Sequence, residues 1–259
     1  MTGFAHVDGH GRPADSAGQA WHGKTIPSTG FEGDSGEVDP ALAAALSACR
    51  QEPSGRTETE LMGRVAVARW LVPVVAVAAR LEGTSTRAGD TRSDMAAVTL
   101  TAPDGSRGLP MFSSVAALSE WDPRARPVPV RAAAAAQAAI AEGAEVLLVD
   151  VASDHATVLR PSMLWALAQE RDWRPAYEDD HVAAAVAAAV RDEPDIVDHR
   201  LECGDPAGAG ALRVVLVLRK GLDREQVTSV ATRVGERIAT DGETRARIDA
   251  LTFALEAAG

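Results

Sequence analysis

The sequence predicts an α/β (α+β) fold, with a mixed-sheet N-terminal domain followed by a smaller ferredoxin-like αββαβ domain. Three observations carry this expectation. The runs Leu71–Ala79 and Glu145–Asp150 are too apolar to alternate, so they read as strands buried on both faces. Helical stripes with capping residues at their starts lie between and around them. Beyond residue 180 the order becomes helix, strand, strand, helix, strand, which is compatible with a ferredoxin-like sandwich. The expected organisation is an acidic leader over 1–38, an N-terminal α/β domain over 39–175 and a C-terminal domain over 180–259.

The elements follow from local chemistry. Residues 1–40 are rich in Gly, His, Ser, Thr and Asp and show little periodicity, so they read as a tail with an extended segment near Ile26–Phe31. Asp39-Pro40 opens a first helix, because Asp caps well and Pro suits the first helical position. Leu42, Leu46 and Cys49 form its apolar stripe, and Pro53-Ser54-Gly55 ends it. A second helix runs from Glu58 to Val67. The strand Trp70–Ala79 should be central, but Pro73 removes a ladder donor, so a bulge or a strand start is expected there.

Residues 82–94 read as a polar loop and Met95–Thr101 as the next strand. Pro103-Asp104-Gly105 signals a hairpin to Gly108–Phe112. Ser114 caps a short helix to Trp121. Asp122–Val130 is extended, because each proline fixes its own φ and restricts its predecessor. The alanine-rich segment Arg131–Glu142 is a helix stopped by Gly143. Ala156–Leu159 pairs with the second buried strand, and Pro161 opens a helix to Glu170. Residues 171–180 read as a linker. Helix 180–191, strand 196–203, strand 211–219, helix 223–239 and strand 246–254 complete the chain, with Val227, Val230, Val234 and Ile238 on the core face of the last helix.

Composition excludes several function classes. The 259 residues carry 26 basic and 37 acidic side chains, a net charge of −11. That argues against nucleic-acid binding, which needs cationic surface, and against docking on anionic lipid. Cys49 and Cys203 form no C-x-x-C pair, so neither a zinc ribbon nor a redox dithiol is expected. The N-terminus lacks a signal pattern and no apolar run is long enough to span a bilayer, so a cytoplasmic protein is expected. Abundant Ala and Arg, with Lys only at Lys24 and Lys220 and no Asn, are typical of a GC-rich genome.

The motifs have mostly plain readings. Gly33-Asp34-Ser35-Gly36 matches the nucleophile sequence of trypsin-like serine proteases, but no base is placed to activate the serine, and the residues favour a turn. His6 and His10 stand four apart, yet Gly9 and Gly11 argue against the helix that a shared metal would need. His155, His181 and His199 are scattered. Ala207-Gly-Ala-Gly210 is followed by a strand rather than a helix, so it reads as a hairpin loop and not a phosphate cradle. Arg124, Arg126 and Arg131 form a basic patch near Trp121 that can bind an anion or an acidic peptide, or serve as a solvated rim. Trp70, Trp121, Trp165 and Trp173 read as core or hinge residues.

Five motifs at matching spacing resemble the SseB family, especially its actinobacterial branch. They are Ile26-Pro27 with Gly30–Asp34, Leu71–Val77, Ser93–Val98, Leu109-Pro-Met-Phe-Ser113, and Trp121–Val130. Relatives often show Phe-Thr where this chain has Phe112-Ser113, and serine keeps the hydroxyl. The resemblance implies an SseB-like N-terminal α/β domain with no established catalytic residue, and an SseB C-terminal domain over 181–259. The family name reflects a serine-sensitivity phenotype rather than a reaction. Within the motifs, Asp94 is expected to cap or orient the strand that follows it, and Phe112 and Trp121 to pack under the short helix.

These readings lead to a non-enzymatic cytosolic protein that binds an unknown protein partner through its N-terminal domain. Asp94, Phe112, Trp121, Arg124 and Arg126 are the candidate partner surface. No catalytic residue, metal or cofactor is expected. The alternative is a small-molecule, amino-acid-sensing protein, since the αββαβ tail resembles regulatory ligand-binding modules in order. A third reading, an enzyme using Asp94, His155 and Cys203, lacks any motif that sets a nucleophile beside a base.

Overall fold

The computed structural model describes residues 31, 33–78, 93–204 and 210–259, with backbone alone for 75–78 and 93–97. The leader histidines His6, His10 and His22, the segment Ile26–Gly30, the loop 82–92 and the hairpin residues 205–209 lie outside the described residues.

The first two helices form from their caps. α1 (Pro40–Gln51) starts at Asp39, whose carboxylate accepts from the N–H groups of Ala41 and Leu42. α2 (Gly55–Val67) begins earlier than Glu58 because Ser54 and Thr57 form a reciprocal capping box. The next strand, β1 (Arg69–Ala78), is central as expected, in a three-stranded sheet ordered β2-β1-β5 with β2 (Ser93–Ala97) and β5 (Arg126–Arg131).

Pro73 neither bulges nor starts β1, and the ladder explains why. Residues of a strand turn their backbone groups alternately to opposite edges. Pro73 accepts from Val98 on the β2 side, so it faces away from β5, where it stands opposite Pro127. The register with β2 ends at Val74, one residue before the missing donor would be needed. The same alternation turns Pro127 and Pro129 away from β1, toward the outer edge of β5.

The expected strand Met95–Thr101 divides between two sheets. Its first part is β2, and its end is β3 (Leu100–Thr101), which forms the expected hairpin with β4 (Arg107–Met111) across a turn with Gly105 at φ 88°. The four-stranded sheet runs β3-β4-β6-β7, with β6 (Val146–Val149) parallel to β4, and β7 (Thr157–Leu159) antiparallel to β6. A two-bond bridge between Leu71 and Phe112 ties this sheet to β1. α3 (Val115–Trp121), α4 (Ala132–Ala141) and α5 (Pro161–Ala168) complete this part. Its core holds Trp70, Leu109, Met111, Leu147 and Val149, all fully buried.

A second core begins at Ala176. α6 (Asp180–Val190) and α7 (Arg224–Thr240) cover one face of a sheet ordered β10-β9-β8, made of β8 (Ile196–Cys203), β9 (Ala211–Leu218) and β10 (Ala250–Ala257). Val230, Val234 and Ile238 face this core as expected. The last strand starts at Ala250 rather than 246, because Asp241 caps a further short helix, α8 (Gly242–Ala246). β9 and β10 are direct parallel neighbours. A ferredoxin-like sheet sets a further strand between them, and none stands there among the described residues.

Residues 35–259 form one compact unit. The segment 171–180 is built into it: Trp173 and Ala176 are buried, and Asp179 caps α6. Among the described residues, no helix is long and apolar enough to cross a membrane.

Candidate interaction site

The parallel strands β4 and β6 end in two polar residues that meet. The Ser113 N–H donates to Asp150 Oδ1 at 2.8 Å, and its hydroxyl donates to Oδ2 at 2.7 Å. Both residues are buried, and Asp150 holds φ at 47°, a left-handed conformation that a non-glycine residue adopts at a cost. Burial pushes the Asp150 carboxyl above its ordinary value, against the pull of the two bonds from Ser113. The Ser113 carbonyl accepts from Arg69 at 3.0 Å, and Arg69 also donates to the Glu37 carbonyl. Ser113 is therefore held at its N–H, its hydroxyl and its carbonyl.

This anchor sets the start of α3. Ser114 caps the helix by accepting from the Ala117 N–H at 3.1 Å. Beneath the helix, Phe112 is completely buried with Leu71 and Leu118, and the Trp121 ring lies against it, centroids 5.3 Å apart. The chain then turns at Asp122, which accepts from the Arg124 N–H at 2.9 Å, and enters β5. Arg124 projects with 92% of its side chain exposed, and Arg126 is exposed at the start of β5.

The structure thus sorts the five predicted surface residues. Trp121, Arg124 and Arg126 stand together at the α3–β5 corner, with Trp121 half-buried. Phe112 is not a surface residue, because it fills the core beneath α3. Asp94 lies inside β2, opposite Val77, and not ahead of a strand. β1 separates it from β5, so it does not join the corner. Asp94, His155 and Cys203 are dispersed over β2, the turn before β7, and β8. Ser35 of the protease-like motif sits in an exposed turn, where its hydroxyl accepts from the Glu37 N–H.

A charged seam joins the two cores, and local sequence gave no sign of it. Arg160, just ahead of α5, grips Glu58 of α2 with bonds of 2.6 and 3.0 Å and Asp249, just ahead of β10, at 2.9 Å. Asp249 also accepts from the Ser162 N–H and hydroxyl, both at 2.8 Å, and the Trp173 indole N–H donates to that hydroxyl at 3.0 Å. Gly210, at φ 76°, passes so close that a Cβ there would strike Arg160 and Asp249. Next to this cluster, Arg247 pairs with Asp179 and Glu243 while lying over Trp165. The cavity among these groups holds about 10 Å³, room for one water. No group of three or more metal-ligating side chains occurs among the described residues.

Ser113 and Asp150 carry one readable signal. Each is the first polar residue after a buried apolar run, and the two runs are parallel neighbours. The match to a known family covers the elements that build this corner. Residues 42–166, from α1 through α5, match the model of the SseB protein N-terminal domain. No curated protein and no solved structure matches the chain. Residues 42–166 of the chain are an SseB N-terminal domain.

Proposed function

We propose that this protein is a non-enzymatic, cytoplasmic interaction or regulatory module that holds an acidic segment of a partner protein at the α3–β5 corner. The observation that carries this reading is the exposed pair Arg124 and Arg126 beside Trp121, on a chain whose net charge is −11. Two exposed guanidinium groups, one of them with a 3.4 Å contact to Asp122, on a chain of net negative charge favour an acidic partner and disfavour others. The half-buried Trp121 ring offers an amphipathic anchor of the type enriched at interfaces. The Ser113–Asp150 anchor and the Phe112 ring keep the corner rigid, which lowers the entropy lost on binding. An amino-acid-sensing role finds no support in the charged seam, whose groups are paired with one another around room for one water.

The test is affinity capture from a lysate of the source organism, comparing the full chain with the Arg124→Glu/Arg126→Glu double variant by quantitative mass spectrometry. A stoichiometric partner that binds the parent and is weakened about tenfold or more, ~1.4 kcal/mol, in the variant supports the reading. Equal recovery on both chains, or turnover of a substrate by the purified protein, overturns it.

A further inference from the structure

The structure contains two kinds of sheet edge. On β5, Pro127 and Pro129 turn to the outer edge and present no donor there. On β8, a register shift between Ile196 and Asp198 breaks the line, and Asp198, Arg200 and Glu202 place charges along it. Prolines, irregularities and charges are the usual guards against unwanted strand pairing.

β10 has none of these. It runs eight residues, Ala250–Ala257, pairs only with β9 among the described residues, and contains no proline and no basic residue. Its single charge, Glu256, is bound by Arg200 with bonds of 2.5 and 3.0 Å. The Ala258 N–H donates to the Leu218 carbonyl, so even-numbered positions face β9 and odd-numbered ones face outward. Among the described residues, no backbone group meets the outward N–H and C=O of Leu251, Phe253 and Leu255. Leu255 is left 43% exposed.

We infer that β10 is a pairing edge whose occupant is the β10 strand of a second copy of this chain, antiparallel about a two-fold axis through Phe253. The pattern is self-complementary in that register. Leu251 faces Leu255 of the second copy and Phe253 faces its own equivalent, so the outward-facing residues exchange backbone bonds with one another. The side chains of these three positions share the face on which Leu251 and Phe253 pack against α6 and α7. On the other face Thr252 meets Ala254, and Glu256 meets Ala250, so no like charges oppose each other. The result is a six-stranded sheet across two chains, and isologous two-fold pairing of this kind closes without forming fibres.

Sedimentation equilibrium of the full chain over a concentration series tests this, combined with hydrogen exchange read at single amides. The expected result is a concentration-dependent doubling of mass. The amides of Leu251, Phe253 and Leu255 should be protected only in the dimer, and those of Thr252 and Ala254 in both states. Leu255→Pro removes an outward donor without touching the β9 ladder and should hold the mass at one chain with an unchanged circular dichroism spectrum. If that variant misfolds, the amide pattern of the parent decides. A single-chain mass throughout overturns the inference. So does a dimer whose three odd amides exchange freely, or their protection in the monomer, which would mean that another segment of the same chain covers the edge.

Discussion

Asp150 concentrates several costs in one residue: a buried carboxylate, a left-handed backbone and a raised pKa. Its two bonds from Ser113 explain why a hydroxyl matters after Phe112. They also give a signed prediction. Below the ordinary carboxyl value of 3.8, Asp150 is protonated folded and unfolded, and burial of the charge costs nothing. As pH rises from 3.8 through the higher folded pKa, the unfolded chain releases its proton first, and stability is lost. Asp150→Asn tolerates the left-handed backbone, keeps an acceptor for the Ser113 N–H, and does not titrate. Its urea midpoint should therefore gain on that of the parent across this window and level off above it. Parallel pH curves for the two proteins would refute the cost assigned to the buried charge.

Among the elements, the prolines of β1 and β5 show how edge chemistry follows from register. Pro127 and Pro129 stand opposite Pro73 and Leu71, at positions where neither strand needs a donor from the other. Replacing both with threonine should leave the fold intact and give β5 two new outward N–H groups. Association beyond that of the parent, followed by light scattering, is the expected outcome, and a variant whose mass matches the parent's at every concentration would show that the prolines do not guard the edge. These elements also mark what the sequence reveals. Capping chemistry located α1 and α3, and apolar runs located β1 and β6, because both signals are local. Pro73 misled because its tolerance depends on which edge its nitrogen faces, and that is set by pairing. The strand Met95–Thr101 divided for the same reason, since its two halves pair with different neighbours, β1 and β4.

Across the whole molecule, the seam at Arg160 joins the two cores. It links Glu58, Arg160 and Asp249, side chains far apart in sequence, so neither composition nor spacing could announce it. Arg160 is 16% exposed, and the two carboxylates are 8% exposed. Removing one partner of such a buried set strands the others. Arg160→Ala should therefore lower the unfolding free energy by ~3–5 kcal/mol in chemical denaturation. A loss below ~1 kcal/mol would place these charges in the class of exposed pairs. The interaction corner was partly legible, because Trp121, Arg124 and Arg126 are close in sequence. Phe112 and Asp94 were not separable from it, since burial and strand order decide their places.

The proposed function places a bound partner at the α3–β5 corner. Hydrogen–deuterium exchange of the full chain, with and without the captured partner, tests it most directly. Slowed exchange centred on residues 115–131, absent in the Arg124→Glu/Arg126→Glu variant, is the expected result. Protection confined to other elements, or unchanged by the double substitution, would contradict it.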